Sequence, residues 1–517
     1  MKSSRTDNSI KNILVSSIAH IVTVVLSFAV RTVFIHRLGN SYLGINGLFS
    51  NILSLLSFAE LGLGNAIVFA LYKPIADDDY KKTAALMNFY AKAYRAIGFF
   101  ILAAGIVIVP FLGYIIGDTS QIPKDLPPIE FIFLLYILNT SLGYFFNYKR
   151  SIIVASQNGK IDSINQLTFN IIKDVFQILA LVLFKSFILY LLVQIVCTFL
   201  GNLTISNKAD RLFPYLEENR GEVLDAKTYR GIQKNVLAML CHKLGSVVVS
   251  GTDNILITQF VGILATGVYS NYVLLTSTVT MLIQQVMSPI TASVGNLVAL
   301  EDKDKGFFLF KKLMMANSFI AILFSTCLLT LSNRFVLFMW GENSVMSLKV
   351  VIVLMLNFYI NTMRKSSQIF IDTTGLFWQI RWKSLFEAGI NLFFSIALAS
   401  WINLGILGIV LGTLISNLLT NFWWEPYVVF KYYFKKQFIV FVREYTIYFM
   451  VFVVTVAFSV VIECFIQESF VGLLCCGTIS VVVSLLVFTL VFHKREEYAY
   501  YVSLLKTQLM NRLKQRG

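Results

Sequence analysis

Charge is what this 517-residue chain lacks most: 14% of its residues are Asp, Glu, Lys or Arg, where a soluble domain carries ~25%. A soluble enzyme is excluded on that ground. Acidic residues are the scarcer sign, 28 against 43 Lys and Arg, for a formal net charge of +15. None of the six cysteines (Cys197, Cys241, Cys327, Cys464, Cys475, Cys476) stands in CxxC spacing, so they read as small membrane residues. The four histidines form no HExxH or other metal spacing, and no P-loop occurs. No cofactor, no metal and no ATP hydrolysis by this chain are therefore expected.

What fills the chain is apolar: 57% of residues are hydrophobic and the mean hydropathy is +0.72. A helix needs ~20 mostly apolar residues to cross the ~30 Å hydrocarbon core. Fourteen such spans are predicted, near 11–36, 42–71, 83–113, 128–148, 161–184, 186–206, 231–252, 265–298, 307–333, 346–363, 381–400, 404–424, 445–465 and 469–492. The first is too long for a signal-peptide core and is expected to stay in the mature protein. The N-terminal tail, the even-numbered loops and the C-terminal tail, with the span ends beside them, hold 33 of the 43 cations. The odd-numbered loops hold four, Arg37, Lys124, Lys185 and Arg334. This bias predicts a multi-pass membrane protein with both termini cytoplasmic. A nucleic-acid partner would need the cations gathered on one face, and they recur instead as short clusters between spans.

The chain also repeats itself. At an offset of 223, Gly39 meets Gly262, Gly44 meets Gly267 and Ile45 meets Val268; one residue further, Gly117-Asp118 meet Gly341-Glu342; at 216, Lys149 and Gly159 meet Lys365 and Gly375. Each match falls at the same topological place, as expected of a carrier built from two related halves. The predicted architecture is an all-α integral membrane protein of about 14 transmembrane helices: two pseudo-symmetric six-helix lobes, plus two extra C-terminal helices. The expected parts are an N-lobe (1–206), a cytoplasmic linker (207–230), a C-lobe (231–424), an interfacial basic-aromatic linker (425–444), spans 13 and 14 (445–492) and a basic cytoplasmic tail (493–517). The linker EPYVVFKYYFKKQFIVFVRE interleaves rings with cations, a pattern suited to the inner headgroup layer.

The run RTVFIHRLGNSYLGINGL (31–48), continued by LLSFAELGLGNA (55–66), resembles the opening of Wzx-type polysaccharide-repeat-unit flippases, relatives of the multidrug and toxin extrusion transporters. The local motif covers the first two spans; the fourteen-span, two-lobe plan extends the resemblance over roughly the whole chain. It implies a central cavity that opens alternately to each side, and transport of undecaprenyl-pyrophosphate-linked oligosaccharide across the inner membrane for surface polysaccharide biosynthesis. It also implies partners: the lipid-linked oligosaccharide, the bilayer, a polysaccharide polymerase and chain-length components. A proton or sodium gradient, or the membrane potential, is the expected drive.

Ionisable groups within spans cost at least ~2.5–3.5 kcal/mol each and so tend to meet a cavity or a partner. Counting ~1.5 Å per residue from the inner ends, a polar belt near mid-membrane comprises His20, Glu60, Lys92, Arg95, Lys173, Asp174 and Lys243. Arg31 and Asp253 lie near the outer mouth, where an ion pair between them would close that side. His20, Arg31, Lys92, Arg95, Lys173 and Lys243 are the candidate cations for a pyrophosphate. Glu60, Asp174 and Asp253 are the candidate coupling or ion-pair acids. Two structural readings compete with these: Glu60 paired to Lys92 or Arg95 on a neighbouring helix, and Lys173 paired to an acid on another span. The amides Asn46, Asn51, Gln284 and Gln285 fit helix-to-helix hydrogen bonds better than sugar contacts. Rival functions are a cation-coupled multidrug exporter, disfavoured by the buried cations, and a membrane polysaccharide polymerase, disfavoured by short outer loops.

Overall fold

The computed structural model describes residues 5–514 apart from 61, 62, 157, 301 and 302, and describes no side chains over 5–20, most of 231–250 and a few further positions. Within a bilayer no water satisfies the backbone, so each apolar run must bond to itself as helix. Every regular element among the described residues is helical. Two compact units are formed, Met1–Ser270 and Asn271–Gly517.

The first unit contains α1 (Arg5–Leu38), α2 (Asn40–Leu56), α3 (Leu63–Ala76), α4 (Tyr80–Ile108), α5 (Leu112–Ile116), α6 (Ile129–Asn147), α7 (Arg150–Ala155), α8 (Gly159–Phe184), α9 (Phe187–Leu212), α10 (Tyr215–Glu218) and α11 (Ala226–Phe260). The division falls inside α12 (Ile263–Leu300). The second unit continues with α13 (Lys303–Trp340), α14 (Leu348–Met363), α15 (Lys365–Thr374), α16 (Lys383–Ile396), α17 (Ile406–Ser416), α18 (Phe422–Val428), α19 (Ile439–Glu463), α20 (Phe470–Phe492) and α21 (Glu496–Lys514). Polar caps mark the helix starts: Asp79 accepts from the Lys82 amide (2.9 Å), Ser186 from Leu189 (3.3 Å) and Asp225 from Thr228 (2.9 Å). Each satisfies one of the amides that a first turn leaves without a partner.

Among the described residues, ten helical spans are long and apolar enough to cross a membrane. The four further expected spans coincide with α2–α3, α11, α12 and α14. Span 2 is not a single helix: α2 gives way to a 3-10 turn at Ser57–Glu60, and α3 resumes at Leu63. The surface segment expected over 425–444 is also divided. Helix continues through wider π turns at Asn417–Asn421 and Val429–Phe434, and Glu425, Val428, Val429 and Phe430 are buried. Their side chains pack inward, while Lys431, Tyr432, Lys435 and Lys436 stay exposed.

The repeat has counterparts in local geometry. Gly39 and Gly262, matched at 223, both take the left-handed region, φ 90° and 121°, which glycine enters without a Cβ penalty. Lys149 precedes α7 and reaches Asp210 of α9 at 2.5 Å; Arg364 precedes α15 and reaches Glu425 of α18 at 2.7 Å. Both pairs join residues 61 apart in sequence. The same ion pair, at the same junction, thus ties each unit.

Candidate functional site

Along α8, Asp162, Asn165, Gln166, Asn170, Lys173, Asp174 and Gln177 recur every three or four residues, and so share one face. Along α9, Gln194, Cys197, Thr198, Gly201 and Asn202 do the same. The two faces meet around a cavity of about 240 Å³ lined by Asn165, Gln166, Asn170, Lys173, Gln194 and Asn202, with Arg150 contributed by α7. Asn165 holds the helices together by donating to the Gly201 carbonyl (3.0 Å).

Charge in this chamber is balanced. Arg150 pairs with Asp162 at 2.7 Å, and Gln166 donates to the same carboxylate at 2.9 Å. Lys173 pairs with its chain neighbour Asp174 at 3.3 Å, and with no acid on another span among the described residues. Arg31 lies outside the cavity lining, on α1, which packs along α8, and its guanidinium and the Asp174 carboxylate are both near enough to act on the Tyr190 hydroxyl. Gln177 donates to the Tyr190 carbonyl (3.2 Å). Three sequence-predicted residues, Arg31, Lys173 and Asp174, are therefore brought into one neighbourhood.

Glu60 sits in the turn that interrupts span 2 and accepts a hydrogen bond from the Tyr94 hydroxyl. The Tyr94 ring lies 4.3 Å from that of Tyr90 and 5.6 Å from that of Tyr144. Glu60 makes no ion pair with Lys92 or Arg95 among the described residues, and the periodicity of α4 explains why. Tyr90, Tyr94, Ile97 and Ile101 fill its buried face, which turns Lys92 and Arg95 to the exposed one. Those two cations pair with no acid among the described residues. Asp253 accepts from the Tyr269 hydroxyl at 3.0 Å. The side chains of His20 and Lys243 lie outside the described residues. Asn46 accepts from the Tyr136 hydroxyl, the helix-to-helix use of an amide.

A denser network in the second unit escaped sequence reasoning. Arg364 grips Glu425 with two hydrogen bonds (2.9 and 2.7 Å), and Lys383 reaches Glu425 at 2.8 Å, Glu387 at 3.4 Å and the Asn421 side-chain oxygen Oδ1 at 2.7 Å. Asn421 donates onward to Glu387 and to Asn417, and Asn417 to Asn357. Lys383 is 4% exposed and Glu425 2%. The signal was present: Lys383 and Glu387 stand four apart, as do Asn417, Asn421 and Glu425. Counting Arg364 and Lys383 as orientation signals at span ends hid it.

No protein-family model and no curated protein matches the sequence. Solved structures do. The lipid II flippase MurJ in an inward closed conformation aligns with TM-score 0.64 at 14% identity, over 93% of this chain and 99% of its own. A multidrug resistance MATE family transporter of the MOP superfamily, inward-facing, aligns with TM-score 0.62 at 13% identity, over 80% and 97%. A Vibrio cholerae MATE transporter variant aligns with TM-score 0.55 at 13% identity, over 84% and 99%. The chain therefore has the helical fold that these membrane proteins share.

Proposed function

We propose that this chain is a membrane carrier that flips undecaprenyl-pyrophosphate-linked oligosaccharide repeat units from the cytoplasmic to the outer leaflet by alternating access, for capsule, O-antigen or exopolysaccharide synthesis. The observation that carries this reading is a groove of about 660 Å³ in the second unit. It is walled by α12, α13 and α20 and lined almost wholly by apolar side chains, among them Leu275, Phe324, Leu331 and Val481. Such a groove takes hydrocarbon, and a carrier of a lipid-linked head needs a place for the tail. Helix α20 lies beyond the two six-span lobes. Residues 1–438 are about 85% of the chain, so a 93% match to MurJ necessarily includes part of α19–α21. That supports a lipid-linked substrate for this chain too.

The exposed, unpaired cations Lys92 and Arg95 suit the pyrophosphate, arginine through paired hydrogen bonds and lysine as a point charge. Arg31, Lys243 and His20 are further candidates for the same path. Glu60, at a broken helix and bonded by the Tyr94 hydroxyl, is the candidate coupling acid for a proton or sodium gradient; interrupted helices are where carriers place such sites. The polymerase and chain-length components would receive the flipped unit on the outer side. The MATE likeness favours one rival, a cation-coupled multidrug exporter, but a cationic drug needs free acids, and Asp162 and Asp174 are each paired to a cation.

Depleting the protein in its own cells and locating the lipid-linked repeat units tests the reading. Accumulation on the cytoplasmic leaflet is the expected result. Accumulation of unpolymerised units outside, or drug sensitivity with no lipid-linked intermediate retained, overturns it.

A further inference from the structure

The polar side chains of the α8–α9 chamber divide into two sets. Asn165 and Gln166 are engaged, but among the described residues Asn170, Gln194, Thr198 and Asn202 make no side-chain hydrogen bond although all four line the cavity. Unmet amides at membrane depth are costly against hydrocarbon, so this face requires a polar occupant. The charge balance says which kind. With Arg150 held by Asp162 and Lys173 by Asp174, the chamber offers neither a free cation for a phosphate nor a free carboxylate for a cationic drug. It offers neutral donor and acceptor pairs: each amide carries both, and each hydroxyl is either. A ligand of matching chemistry is uncharged, compact and rich in hydroxyls.

We propose that the chamber between α8 and α9 is a sugar-recognition subsite, in which Asn170, Gln194, Thr198 and Asn202 bond the hydroxyls of one ring of the transported glycan. The proposal rests on the flippase reading and assigns it a division of labour. The pyrophosphate is met by exposed cations elsewhere, and the identity of the sugar is read in a neutral pocket. Selectivity then comes from hydroxyl geometry, since a site built to bond a hydroxyl rejects a ligand that leaves its amides unmet. Gly201 and Phe169 both border the cavity, and a Cβ on Gly201 would stand 3.1 Å from the Phe169 ring, so that a side chain there would force the ring to shift.

The test uses the full-length chain in lipid nanodiscs and two probes, the undecaprenyl-pyrophosphate-linked repeat unit from the producing cells and undecaprenyl pyrophosphate without sugar. Wild type should bind the glycosylated probe at least about tenfold more tightly, the worth of one or two well-placed hydrogen bonds. Asn170→Leu and Gln194→Leu should abolish that preference and leave the sugar-free probe unaffected, while Asn170→Gln retains part of it. A measurement on the wild-type protein covers a variant that misfolds: Cys197, a free thiol in the chamber wall, should be shielded from a methanethiosulfonate reagent by the glycosylated probe and not by the sugar-free one. Folded leucine variants that keep the wild-type preference, or Cys197 labelling that the sugar does not slow, overturn the subsite. Wild type that binds neither probe overturns the flippase reading itself, and the subsite with it. A change confined to sodium or proton dependence reassigns the chamber to a cation.

Discussion

Gly44 of α2 lies against the backbone carbonyl of Ile263 so closely that a Cβ on Gly44 would overlap that oxygen. Gly267 of α12 meets the carbonyl of Asn40 in the same way. Under the offset of 223, Gly44 becomes Gly267 and Asn40 becomes Ile263, so the contact maps onto itself, as isologous contacts do. The repeat legible in the sequence is therefore also a contact in space, made by the first turns of two equivalent helices.

Substituting either glycine should be expensive because the obstruction is backbone. Gly44→Ala and Gly267→Ala should each destabilise by about 1–3 kcal/mol, and the double variant by less than the sum, since both open one contact. Gly143→Ala in α6, where a Cβ meets nothing within 4 Å, should be neutral or stabilising by up to ~1 kcal/mol. Thermal unfolding in detergent measures all four.

The two ion pairs that span 61 residues differ in burial, and so should their worth. Arg364→Ala leaves Lys383 alone to hold both Glu425 and Glu387, one buried carboxylate in excess, a loss of about 3–5 kcal/mol for a buried pair broken on one side. Lys149→Ala removes a pair whose side chains remain 16% and 27% exposed and should cost about 1 kcal/mol. Unfolding midpoints of the two variants test the ranking; equal losses would contradict it.

Removing both cations from the exposed face of α4 separates transport from stability. Lys92→Ala with Arg95→Ala should leave the unfolding temperature unchanged, since neither pairs with an acid among the described residues. Uptake of the glycosylated lipid into proteoliposomes should fall at least about tenfold, the loss of one charge-assisted contact of ~1.5–3 kcal/mol.

At the interrupted second span, Glu60→Gln should abolish gradient-driven transport while exchange without a gradient continues. Tyr94→Phe removes the hydroxyl that bonds Glu60 and should cost about 1–3 kcal/mol of stability. Transport in Glu60→Gln that still responds to imposed proton and sodium gradients would exclude Glu60 as the coupling acid.

A cap outside the membrane supplies a pH dependence. Hydrogen bonds from Thr228 hold the Asp225 carboxyl below its ordinary range. Its contribution to the start of α11 is therefore complete above the unfolded value of ~3.9 and is lost as pH falls through the lower folded value. Protection of the Thr228 amide, its exchange measured against the intrinsic rate at each pH, should fall over that acidic window, and in Asp225→Ala should be low at every pH.

Helical class, the repeat and the recurrence of cations in alternate loops were legible because hydropathy, glycine spacing and loop charge are properties of position along the chain. The pairing of charges was not. Arg364 and Lys383 look like any basic residues beside a span, and only the 61-residue closure of α14 onto α18 reveals them as the buried partners of Glu425. Lys92 and Arg95 look like partners for Glu60 until the phase of α4 turns them to its exposed face.

The sequence by itself thus determined that this chain lives in a bilayer, that it is helical and that it is built twice, because insertion into hydrocarbon selects on apolar length and backbone self-satisfaction alone. Tertiary structure decided which polar groups are spent on one another and which are left over. Hydrogen bonds and ion pairs act over about 3 Å, and sequence separation is blind to that distance. Asp162 and Asp174 are neutralised, Glu425 is gripped from two sides, and the amides of α8 and α9 that remain unmet are where a substrate can be read.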